Sequence, residues 1–338
     1  MKVKKALITG IRGQDGAYLA KLLLDLGYEV YGADRRSSDS SYWRLEYLGI
    51  KDKVKLVYMD LLEFSNIQDV IKEIKPDEIY NLAAQSFVQV SFNQPLLTSE
   101  VNAMGVLRLL EAIRLYNPEA KFYQASTSEM FGQVKEIPQN ENTPFNPVSP
   151  YAVSKVFAHY ITVNYRIAYN MFNCCGILFN HESFLRGMEF VTKKIVNTAV
   201  KIKYNLIDKL IVGNVYAKRD WGYAPEYVYG MYLMLNYDKP DDYVLATNES
   251  HSVKEFIDKT FEYLNMKLKW EEDEKKVRAY YNDKVVVESS AEFYRPSEVN
   301  LLQGDYTKAR NILKWEPKVK FDKLIEIMVN EEANYLRK

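Results

Sequence analysis

Tyr151 and Lys155 are the two residues of this sequence whose combined chemistry is easiest to state. Residues four positions apart share one face of a helix, so the Lys155 ammonium can lie beside the Tyr151 phenol. A free phenol has a pKa near ~10, and a neighbouring cation favours the phenolate and lowers that value. The spacing therefore predicts a general acid and base that works near neutral pH. The alternative is a chance pair on a solvated helix face, because the chain contains 27 tyrosines.

The amino-terminal segment predicts the elements that would bind a nucleotide beside this pair. A buried strand (3–9) leads into a turn with GxxGxxG spacing (10–16), an amphipathic helix (17–26) and a second strand (29–33). Glycines allow a tight turn and let the backbone approach a pyrophosphate at the helix N-terminus. A glycine-rich turn alone could be a plain turn. The order of strand, turn, helix and strand favours a dinucleotide site.

The residues after the second strand bear on which dinucleotide binds. Asp34 ends the strand, and an acidic residue there usually accepts the ribose 2′-hydroxyl of NAD. Arg35, Arg36, Ser37 and Ser38 follow it, and this set suits a 2′-phosphate instead. The sequence therefore predicts NADP rather than NAD, with Asp34 either facing away from the cofactor or favouring NAD.

Strands and helices alternate through the first half of the chain, which predicts an α/β fold of the Rossmann type with a doubly wound parallel sheet. Further strands are predicted at 54–58, from Glu78, at 121–126 and at 172–179, and further helices at 65–74, 102–116 and 151–168. Polar residues follow two of these strands, at 126–129 and 180–183. The carboxyl ends of parallel strands are where open α/β sheets bind their ligands.

The second half of the chain has a different character. Residues 1–180 are predicted to form an NADP-binding Rossmann domain, and a segment near 213–250 is expected to return to it. Residues 181–338 mix short helices and strands with loops rich in charged and aromatic residues. This part is expected to form a smaller, mixed α/β, C-terminal substrate-binding domain.

Composition limits the possible functions. The 338 residues are 47% hydrophobic and carry a formal net charge of zero, so no electrostatic footprint for nucleic acid or an anionic membrane is present. Cys174 and Cys175 are adjacent in an apolar run, which predicts buried thiols and no metal site. No apolar run approaches the length of a membrane span. We expect a cytoplasmic protein without nucleic-acid or membrane partners.

Taken together, these motifs resemble the extended short-chain dehydrogenase/reductase family, and within it the GDP-mannose 4,6-dehydratases. The resemblance covers essentially the whole chain, and its most specific parts are residues 122–129 and 218–222. The runs that carry it are 6–16, 35–38, 79–86, 122–129, 176–183, 217–222, 252–256 and 294–305.

The resemblance implies a redox-neutral dehydration of a GDP-sugar. Tyr151 would take the proton of the sugar 4-hydroxyl while the C4 hydride moves to NADP, with Thr127 hydrogen-bonded to the 4-oxygen. Lys155 would lower the Tyr151 pKa and hold the nicotinamide ribose. Glu129 would remove the acidified C5 proton and protonate the departing 6-hydroxyl, before the hydride returns to C6. The alternative role for Glu129 is a carboxylate that caps the next helix.

The resemblance also implies the residues that contact the ligands. We expect the cofactor to be bound by Gly10, Arg12, Gly13, Gln14, Asp15, Gly16, Arg35, Arg36, Ser37, Asp60, Leu61, Leu82, Ala83, Ala84, Ser86, Tyr151, Lys155 and His181. We expect the substrate to be bound by Ser86, Glu129, Asn180, Lys194, Arg219, Arg295 and Glu298. Among them, Asp60 and Leu61 would pack near the adenine, and His181 is expected to be structural rather than catalytic. For each charged substrate residue, the alternative is a surface ion pair.

Two stretches depart from the family pattern. Phe184 and Leu185 stand where the family usually has Pro and Arg, in a region near the sugar and diphosphate. The substrate could therefore be GDP-mannose or a heptose such as GDP-D-glycero-D-manno-heptose. Arg12 replaces the usual Thr of the glycine turn and is expected to place extra positive charge near the pyrophosphate.

Two other classes of function and the assembly state stay open. The chain could be a nucleotide-sugar 4-epimerase or C4 dehydrogenase of the same fold, or a non-catalytic NADP-binding regulatory protein. Glu129 argues against the first, and the complete catalytic set argues against the second. By resemblance we expect a homo-oligomer, with a tetramer favoured over a dimer. In such tetramers, the segment 35–41 reaches a neighbouring subunit's cofactor site.

Overall fold

The computed structural model describes residues 2–38, 41–272, 276–293 and 299–337. The strands are β1 (Lys5–Thr9), β2 (Glu29–Asp34), β3 (Lys55–Tyr58), β4 (Glu78–Asn81), β5 (Lys121–Thr127), β6 (Asn173–Leu178), β7 (Asn180–Glu182), β8 (Leu210–Val212), β9 (Lys218–Arg219), β10 (Trp221–Tyr223), β11 (Asp242–Leu245), β12 (His251–Ser252), β13 (Lys269–Glu272), β14 (Val277–Tyr281) and β15 (Lys284–Ser289). The helices are α1 (Gln14–Asp25), α2 (Trp43–Tyr47), α3 (Phe64–Ile74), α4 (Val88–Asn93), α5 (Pro95–Ser99), α6 (Gly105–Tyr116), α7 (Pro150–Tyr169), α8 (Val191–Lys203), α9 (Ala224–Leu235), α10 (Val253–Tyr263), α11 (Thr307–Leu313) and α12 (Phe321–Leu336).

Seven parallel strands form the central sheet, in the order β11–β6–β5–β4–β1–β2–β3. The chain moves outward from β1 to β3 and then crosses to β4 on the other side of β1. The strand order therefore reverses between β1 and β4, and a crevice opens at the carboxyl ends of these two strands. This arrangement confirms the predicted doubly wound parallel sheet.

Both faces of the sheet are covered by helices, because its strands present apolar side chains in both directions. In β1, Ala6 and Ile8 pack with residues of α1 and α9, whereas Leu7 packs with residues of α3 and α6 on the opposite face. This alternation follows from the two-residue period of a strand. The short apolar run at 3–9 is thus a strand buried on both sides.

Two predicted helices begin differently from the expectation. The first begins at Gln14 rather than at residue 17, because the glycine turn itself supplies the N-cap residue Gly13. The predicted helix from residue 102 is preceded by a π-helical turn, Glu100–Met104, before α6 begins. In that turn the buried Asn102 amide exchanges two hydrogen bonds with the backbone of Gln85, at 2.8 and 3.0 Å.

The second half of the chain contributes to two regions. Strands β13, β14, β15 and β8 form a smaller sheet, and α8, α10 and α12 bury a separate apolar cluster with it. In contrast, α9 packs on α1, and β11 pairs in parallel with β6 of the central sheet. The division of the chain at residue 180 stays a prediction.

Three further observations concern the composition-based expectations. Cys174 and Cys175 are buried free thiols. Among the described residues, no helix has both the length and the apolarity to cross a membrane. Within the same ranges, no group of three or more His, Cys, Asp or Glu side chains is arranged to hold a metal ion.

Candidate active site

Three of the four predicted catalytic residues meet at the carboxyl end of β5. Thr127 ends this strand, and its hydroxyl oxygen accepts the N–H of Glu129 at 3.2 Å. Tyr151 lies in the first turn of α7, where the Ser149 hydroxyl caps the helix by accepting the Ala152 N–H at 3.1 Å. Thr127 and Glu129 both act on the Tyr151 phenol, the first through a hydrogen bond and the second through its charge.

The pKa values of Tyr151 and Lys155 correct one expectation from the sequence. Burial raises the pKa of Tyr151 to about 12, and the Glu129 charge adds to this rise while Thr127 opposes it. Burial also lowers the pKa of Lys155 to about 8. The Lys155 ammonium lies 6.0 Å from the centre of the Tyr151 ring. For the chain alone, the pKa of Tyr151 is therefore raised rather than lowered as predicted, because burial is the largest influence on it.

A buried chain of hydrogen bonds fixes Lys155 to the sheet. The Thr9 hydroxyl donates to the Asn81 side-chain oxygen at 2.7 Å, and the Asn81 amide donates to the Gln124 side-chain oxygen at 2.8 Å. The Gln124 amide donates to the Ala125 carbonyl at 3.0 Å, and the Lys155 ammonium donates to the same carbonyl at 2.9 Å. Sequence reasoning missed these residues. Their signal was a buried polar residue in each of three neighbouring strands, at the end of β1 and β4 and in the middle of β5.

The glycine turn after β1 has the shape that a dinucleotide requires. Gly10 has a φ of +72°, and a Cβ there would lie 2.8 Å from the Ala83 backbone nitrogen. A Cβ on Gly16 would lie 2.5 Å from the Gly10 carbonyl oxygen. The N-cap residue of α1 is Gly13, which has no side chain to accept hydrogen bonds from the first N–H groups of the helix. These N–H groups face the crevice. Such a helix N-terminus fits a pyrophosphate.

Asp15 and His181 join the first turn of α1 to β7. The His181 Nδ1–H donates to the Phe179 carbonyl at 2.7 Å, and Nε2 lies 2.7 Å from the Asp15 carboxylate. Burial opposes a charge on the imidazole, but the Asp15 carboxylate prevails and raises the pKa of His181. His181 also stacks on Tyr227, with ring centres 4.7 Å apart. Both ring nitrogens therefore contact protein atoms, which agrees with a structural role, while its contact with the cofactor stays a prediction.

Other predicted cofactor residues occupy the loops around the same crevice. Gln14 is buried and donates to the His181 carbonyl at 3.1 Å. The backbone N–H groups of Leu82 and Ala83 each donate to the Thr9 hydroxyl at 3.0 Å. The remaining predicted residues follow β2, β3 or β4, namely Arg35, Arg36, Ser37, Asp60, Leu61, Ala84 and Ser86. Their role in binding stays a prediction.

Three further predicted substrate residues lie on three different elements of the second half of the chain. Asn180 begins β7, and the Lys194 ammonium in α8 lies 3.8 Å from the centre of the Phe293 ring. Arg219 in β9 is buried and donates to the carbonyls of Lys218 and Val299, at 2.9 and 2.6 Å. Arg295 and Glu298 lie outside the described residues. The substrate assignments therefore stay predictions.

Arg186 is a residue near the catalytic cluster that sequence reasoning missed. Its Nε lies 3.2 Å from a Glu182 carboxylate oxygen, and its guanidinium lies 3.5 Å from the centre of the Phe190 ring. Its positive charge lowers the pKa of both Tyr151 and Asp15. The signal was an arginine shortly after the polar residues 180–183 that follow β6.

The Arg12 side chain takes a different direction from the one expected. Its Nε–H donates a hydrogen bond to the Asp34 carboxylate at the end of β2, and the two side chains form an ion pair. Its guanidinium lies 4.5 Å from the centre of the Tyr42 ring. The positive charge of Arg12 therefore lies at the end of β2, and not near the pyrophosphate as expected.

Comparison with known proteins identifies the family. A family model described as GDP-mannose 4,6 dehydratase matches residues 7–328. The chain belongs to this family. The human protein named GDP-mannose 4,6 dehydratase is 49% identical over 343 residues, covering 98% of this chain and 92% of that protein.

Two solved structures share the fold of this GDP-mannose 4,6-dehydratase family member. One is dTDP-glucose 4,6-dehydratase from Bacillus anthracis in complex with NAD, with a TM-score of 0.81, 21% identity and coverage of 99% of this chain and 98% of that chain. The other is RMD from Pseudomonas aeruginosa complexed with NADPH, with a TM-score of 0.77, 20% identity and 98% coverage of both chains.

The Phe184–Leu185 departure from the family pattern faces the protein interior. Phe184 is 2% exposed and Leu185 is fully buried. The Phe184 ring centre lies 4.8 Å from that of Tyr47 in α2 and 5.1 Å from that of Tyr335 in α12. In this family member Phe184 therefore joins α2 to α12, and the substitution of two apolar residues here contributes to packing.

Proposed function

We propose that this protein is a GDP-mannose 4,6-dehydratase that forms GDP-4-keto-6-deoxymannose. The hydride would be transferred from C4 to C6 of the sugar by way of bound NADP. The observation that carries the proposal is the meeting of Thr127, Glu129 and Tyr151 at the end of β5 in a chain of this family. A 4-epimerase needs the hydroxyl and the phenol, but it needs no carboxylate to act at C5.

The residues of the crevice support a bound dinucleotide. The glycine turn and the N-terminus of α1 would hold the pyrophosphate, and Lys155 would hold the nicotinamide ribose. Arg35, Arg36 and Ser37 are exposed at the end of β2 and would contact a 2′-phosphate. The chemistry supplied by bound NADP is acceptance of the C4 hydride and its later return to C6.

The first proton transfer belongs to Tyr151. As the phenolate it would accept the proton of the sugar 4-hydroxyl, while Thr127 donates a hydrogen bond to the same oxygen. Because burial raises the Tyr151 pKa to about 12, the phenolate needs stabilisation by positive charge. Protonated Lys155 and Arg186 are the cations of this chain that would supply it.

The elimination of water belongs to Glu129. A ketone at C4 acidifies the C5 proton, and the half-buried Glu129 carboxylate would accept this proton. The carboxylic acid so formed would protonate the 6-hydroxyl as the C6–O bond breaks, which releases water and leaves a C5–C6 double bond. Hydride addition at C6 and protonation at C5, which returns the proton that Tyr151 accepted, complete the 4-keto-6-deoxy sugar without net oxidation or reduction.

Two alternative functions make different predictions. A 4-epimerase or C4 dehydrogenase would leave the mass of the sugar unchanged or lower it by two hydrogens. A non-catalytic NADP-binding regulator would give no product, although the intact set of Thr127, Glu129, Tyr151 and Lys155 argues against it. The dehydratase alone releases water.

We also propose a homo-oligomer, with a tetramer favoured over a dimer. Apolar side chains are exposed on α5 and α7, which pack against each other. Leu96 of α5 is 82% exposed, and Val153, Phe157 and Tyr160 of α7 are also exposed. An exposed apolar surface of this kind supports contact with a second copy of the chain.

The test of the reaction is mass spectrometry of purified protein incubated with GDP-mannose and, separately, with GDP-D-glycero-D-manno-heptose. We expect loss of one water from GDP-mannose without accumulation of reduced cofactor. If the GDP-heptose is dehydrated much faster than GDP-mannose, we would conclude that the heptose is the substrate. Loss of water from neither sugar would contradict the proposed function.

A further inference from the structure

The ion pair between Arg12 and Asp34 lies where the crevice meets the end of β2. Parallel pairing of β1 with β2 brings Arg12, in the turn after β1, next to the last residue of β2. The Tyr42 hydroxyl donates to the same Asp34 oxygen that Arg12 contacts, at 3.2 Å. One carboxylate oxygen thus receives two donors, and the Arg12 guanidinium also stacks over the Tyr42 ring.

The pair is held in a fixed position rather than free in solvent. The side chains of Arg12 and Asp34 are only 24% and 14% exposed. The Arg12 carbonyl accepts a hydrogen bond from the Arg44 guanidinium at 2.9 Å, and the same guanidinium donates to the Leu185 carbonyl at 2.6 Å. Both the backbone and the side chain of Arg12 are therefore anchored.

An acidic residue at the end of β2 has a known consequence for dinucleotide binding. Its carboxylate accepts the ribose 2′-hydroxyl of NAD and repels the 2′-phosphate of NADP. Asp34 should therefore oppose the NADP binding that Arg35 and Arg36 favour. Arg12 removes this conflict, because it neutralises the carboxylate and occupies one of its oxygens.

We propose that Arg12 is a specificity-determining residue that sets the preference for the 2′-group of the cofactor through its pair with Asp34. The proposal rests on the proposed use of NADP and names the residue that makes it compatible with an acid at the end of β2. With Arg12 in place, the pair is neutral and the exposed Arg35 and Arg36 determine the local charge. Without Arg12, the carboxylate is free to accept a 2′-hydroxyl.

A purely structural role for Arg12 predicts a different result. If Arg12 only braced the glycine turn, its replacement would weaken NADPH and NADH equally, because both share the pyrophosphate. A selectivity role predicts opposite changes for the two cofactors. It also predicts that the change requires the Asp34 carboxylate.

The experiment measures the Kd of NADPH and of NADH by nicotinamide fluorescence, in the absence of sugar substrate. The variants are Arg12→Gln, Asp34→Asn, the double variant and Arg12→Lys, and the matched control is Lys51→Gln. The Lys51 ammonium lies 5.3 Å from the centre of the same Tyr42 ring, so this control removes a neighbouring cation. Thermal unfolding of each variant establishes that it is folded.

For Arg12→Gln we expect the ratio of the NADH Kd to the NADPH Kd to fall by about tenfold or more. Asp34→Asn should keep the wild-type preference, and the double variant should recover most of the ratio lost in Arg12→Gln. Arg12→Lys should lie near the wild type, and Lys51→Gln should change the ratio less than about twofold. If Arg12→Gln fails to fold, Arg12→Thr takes its place with the same expected fall in the ratio, because it also removes the charge and carries the residue usual in the family at this position.

Three results would overturn the inference: equal weakening of both cofactors in Arg12→Gln, a double variant as impaired as the single one, or a strong gain of NADPH binding in Asp34→Asn. The proposed use of NADP is judged separately, by the wild-type ratio. A wild type that prefers NADH would contradict NADP use. The inference about Arg12 would then still stand if Arg12→Gln strengthened the preference for NADH and if the double variant, which adds Asp34→Asn, lost that effect.

Discussion

The Lys155 ammonium donates a hydrogen bond to the carbonyl oxygen of Ala125 at 2.9 Å, and this contact joins helix α7 to strand β5. The buried chain from Thr9 through Asn81 and Gln124 ends at the same carbonyl. The position of the cation is thus set by the sheet rather than by Tyr151. Its charge, however, is opposed by its burial.

The first prediction concerns the pH dependence of activity. Because burial lowers the pKa of Lys155 to about 8, the free enzyme should lose the ammonium as pH rises through that value. Because the pKa of Tyr151 is about 12, its phenolate fraction rises with pH throughout this range. We therefore expect kcat/KM for GDP-mannose to rise up to about pH 8 and then level off, because further loss of the phenol proton is offset by loss of the Lys155 ammonium. In Lys155→Arg the guanidinium keeps its charge, so the rise should continue above that pH. Levelling off at the same pH in Lys155→Arg would assign it to another group.

The second prediction concerns the stability cost of the same residue. A folded pKa of about 8 against the ordinary value of 10.5 means that the charged form destabilises the fold by about 3 kcal/mol at pH 7. The folded state releases its proton near pH 8, whereas the unfolded state retains it up to about 10.5, so this cost disappears as pH rises between the two values. Lys155→Met should therefore unfold at a higher temperature than the wild type at pH 7, with a smaller difference near pH 10. A lower melting temperature at pH 7 would contradict this reasoning.

The central sheet was predictable because its signals are local. Apolar runs bounded by glycine or polar residues marked the strands, and their alternation with helices required parallel pairing. The start of α1 was misplaced, because a glycine N-cap carries no side chain that marks a helix beginning. The meeting of Thr127, Glu129 and Tyr151 followed from the family resemblance rather than from spacing alone.

Other features of the site depend on contacts between distant segments. The rise in the Tyr151 pKa results from burial, which the spacing of Tyr and Lys does not encode. The pairing of Arg12 with Asp34 depends on side-chain direction at two adjacent strand ends. The inward packing of Phe184 requires aromatic partners from α2 and α12, which lie far apart in sequence.

The third prediction separates the two acid–base residues. Glu129→Gln keeps the size of the side chain and removes the carboxylate, so the C5 proton should stay in place while oxidation at C4 continues. We expect dehydration to slow by about 10²-fold or more, with reduced cofactor appearing transiently at 340 nm. Tyr151→Phe should slow the reaction at least as much and give no such absorbance. Equal spectra for the two variants would contradict the division of roles.

The fourth prediction concerns Arg186, which lowers the pKa of Tyr151 through its positive charge. Arg186→Gln should raise the Tyr151 pKa further and lower kcat/KM, because less phenolate is present at any pH below that pKa. Arg186→Lys should restore much of the wild-type kcat/KM, because it returns the charge. An Arg186→Lys variant as impaired as Arg186→Gln would instead indicate a loss of substrate binding or of packing on Phe190.

The fifth prediction concerns the ion pair of Asp15 and His181. The pKa of His181 is raised because the Asp15 carboxylate outweighs burial, so the pair stabilises the fold fully below the ordinary histidine pKa of 6.5. This stabilisation is lost as pH rises through the raised pKa of the folded state. His181→Asn should therefore lower the melting temperature most at pH 6, and less at pH 9.

The control for this variant is His251→Asn, which removes a partly exposed imidazole stacked on Phe321 at 3.8 Å. This control reports the loss of ring stacking without the loss of a buried ion pair, because the Glu249 carboxylate 3.7 Å away is partly exposed, where solvent weakens the attraction. His181→Asn should also weaken NADPH binding, since Asp15 lies in the first turn of α1 at the proposed pyrophosphate site. A destabilisation of His181→Asn that is equal at pH 6 and pH 9 would show that packing on Tyr227, not the ion pair, determines its contribution.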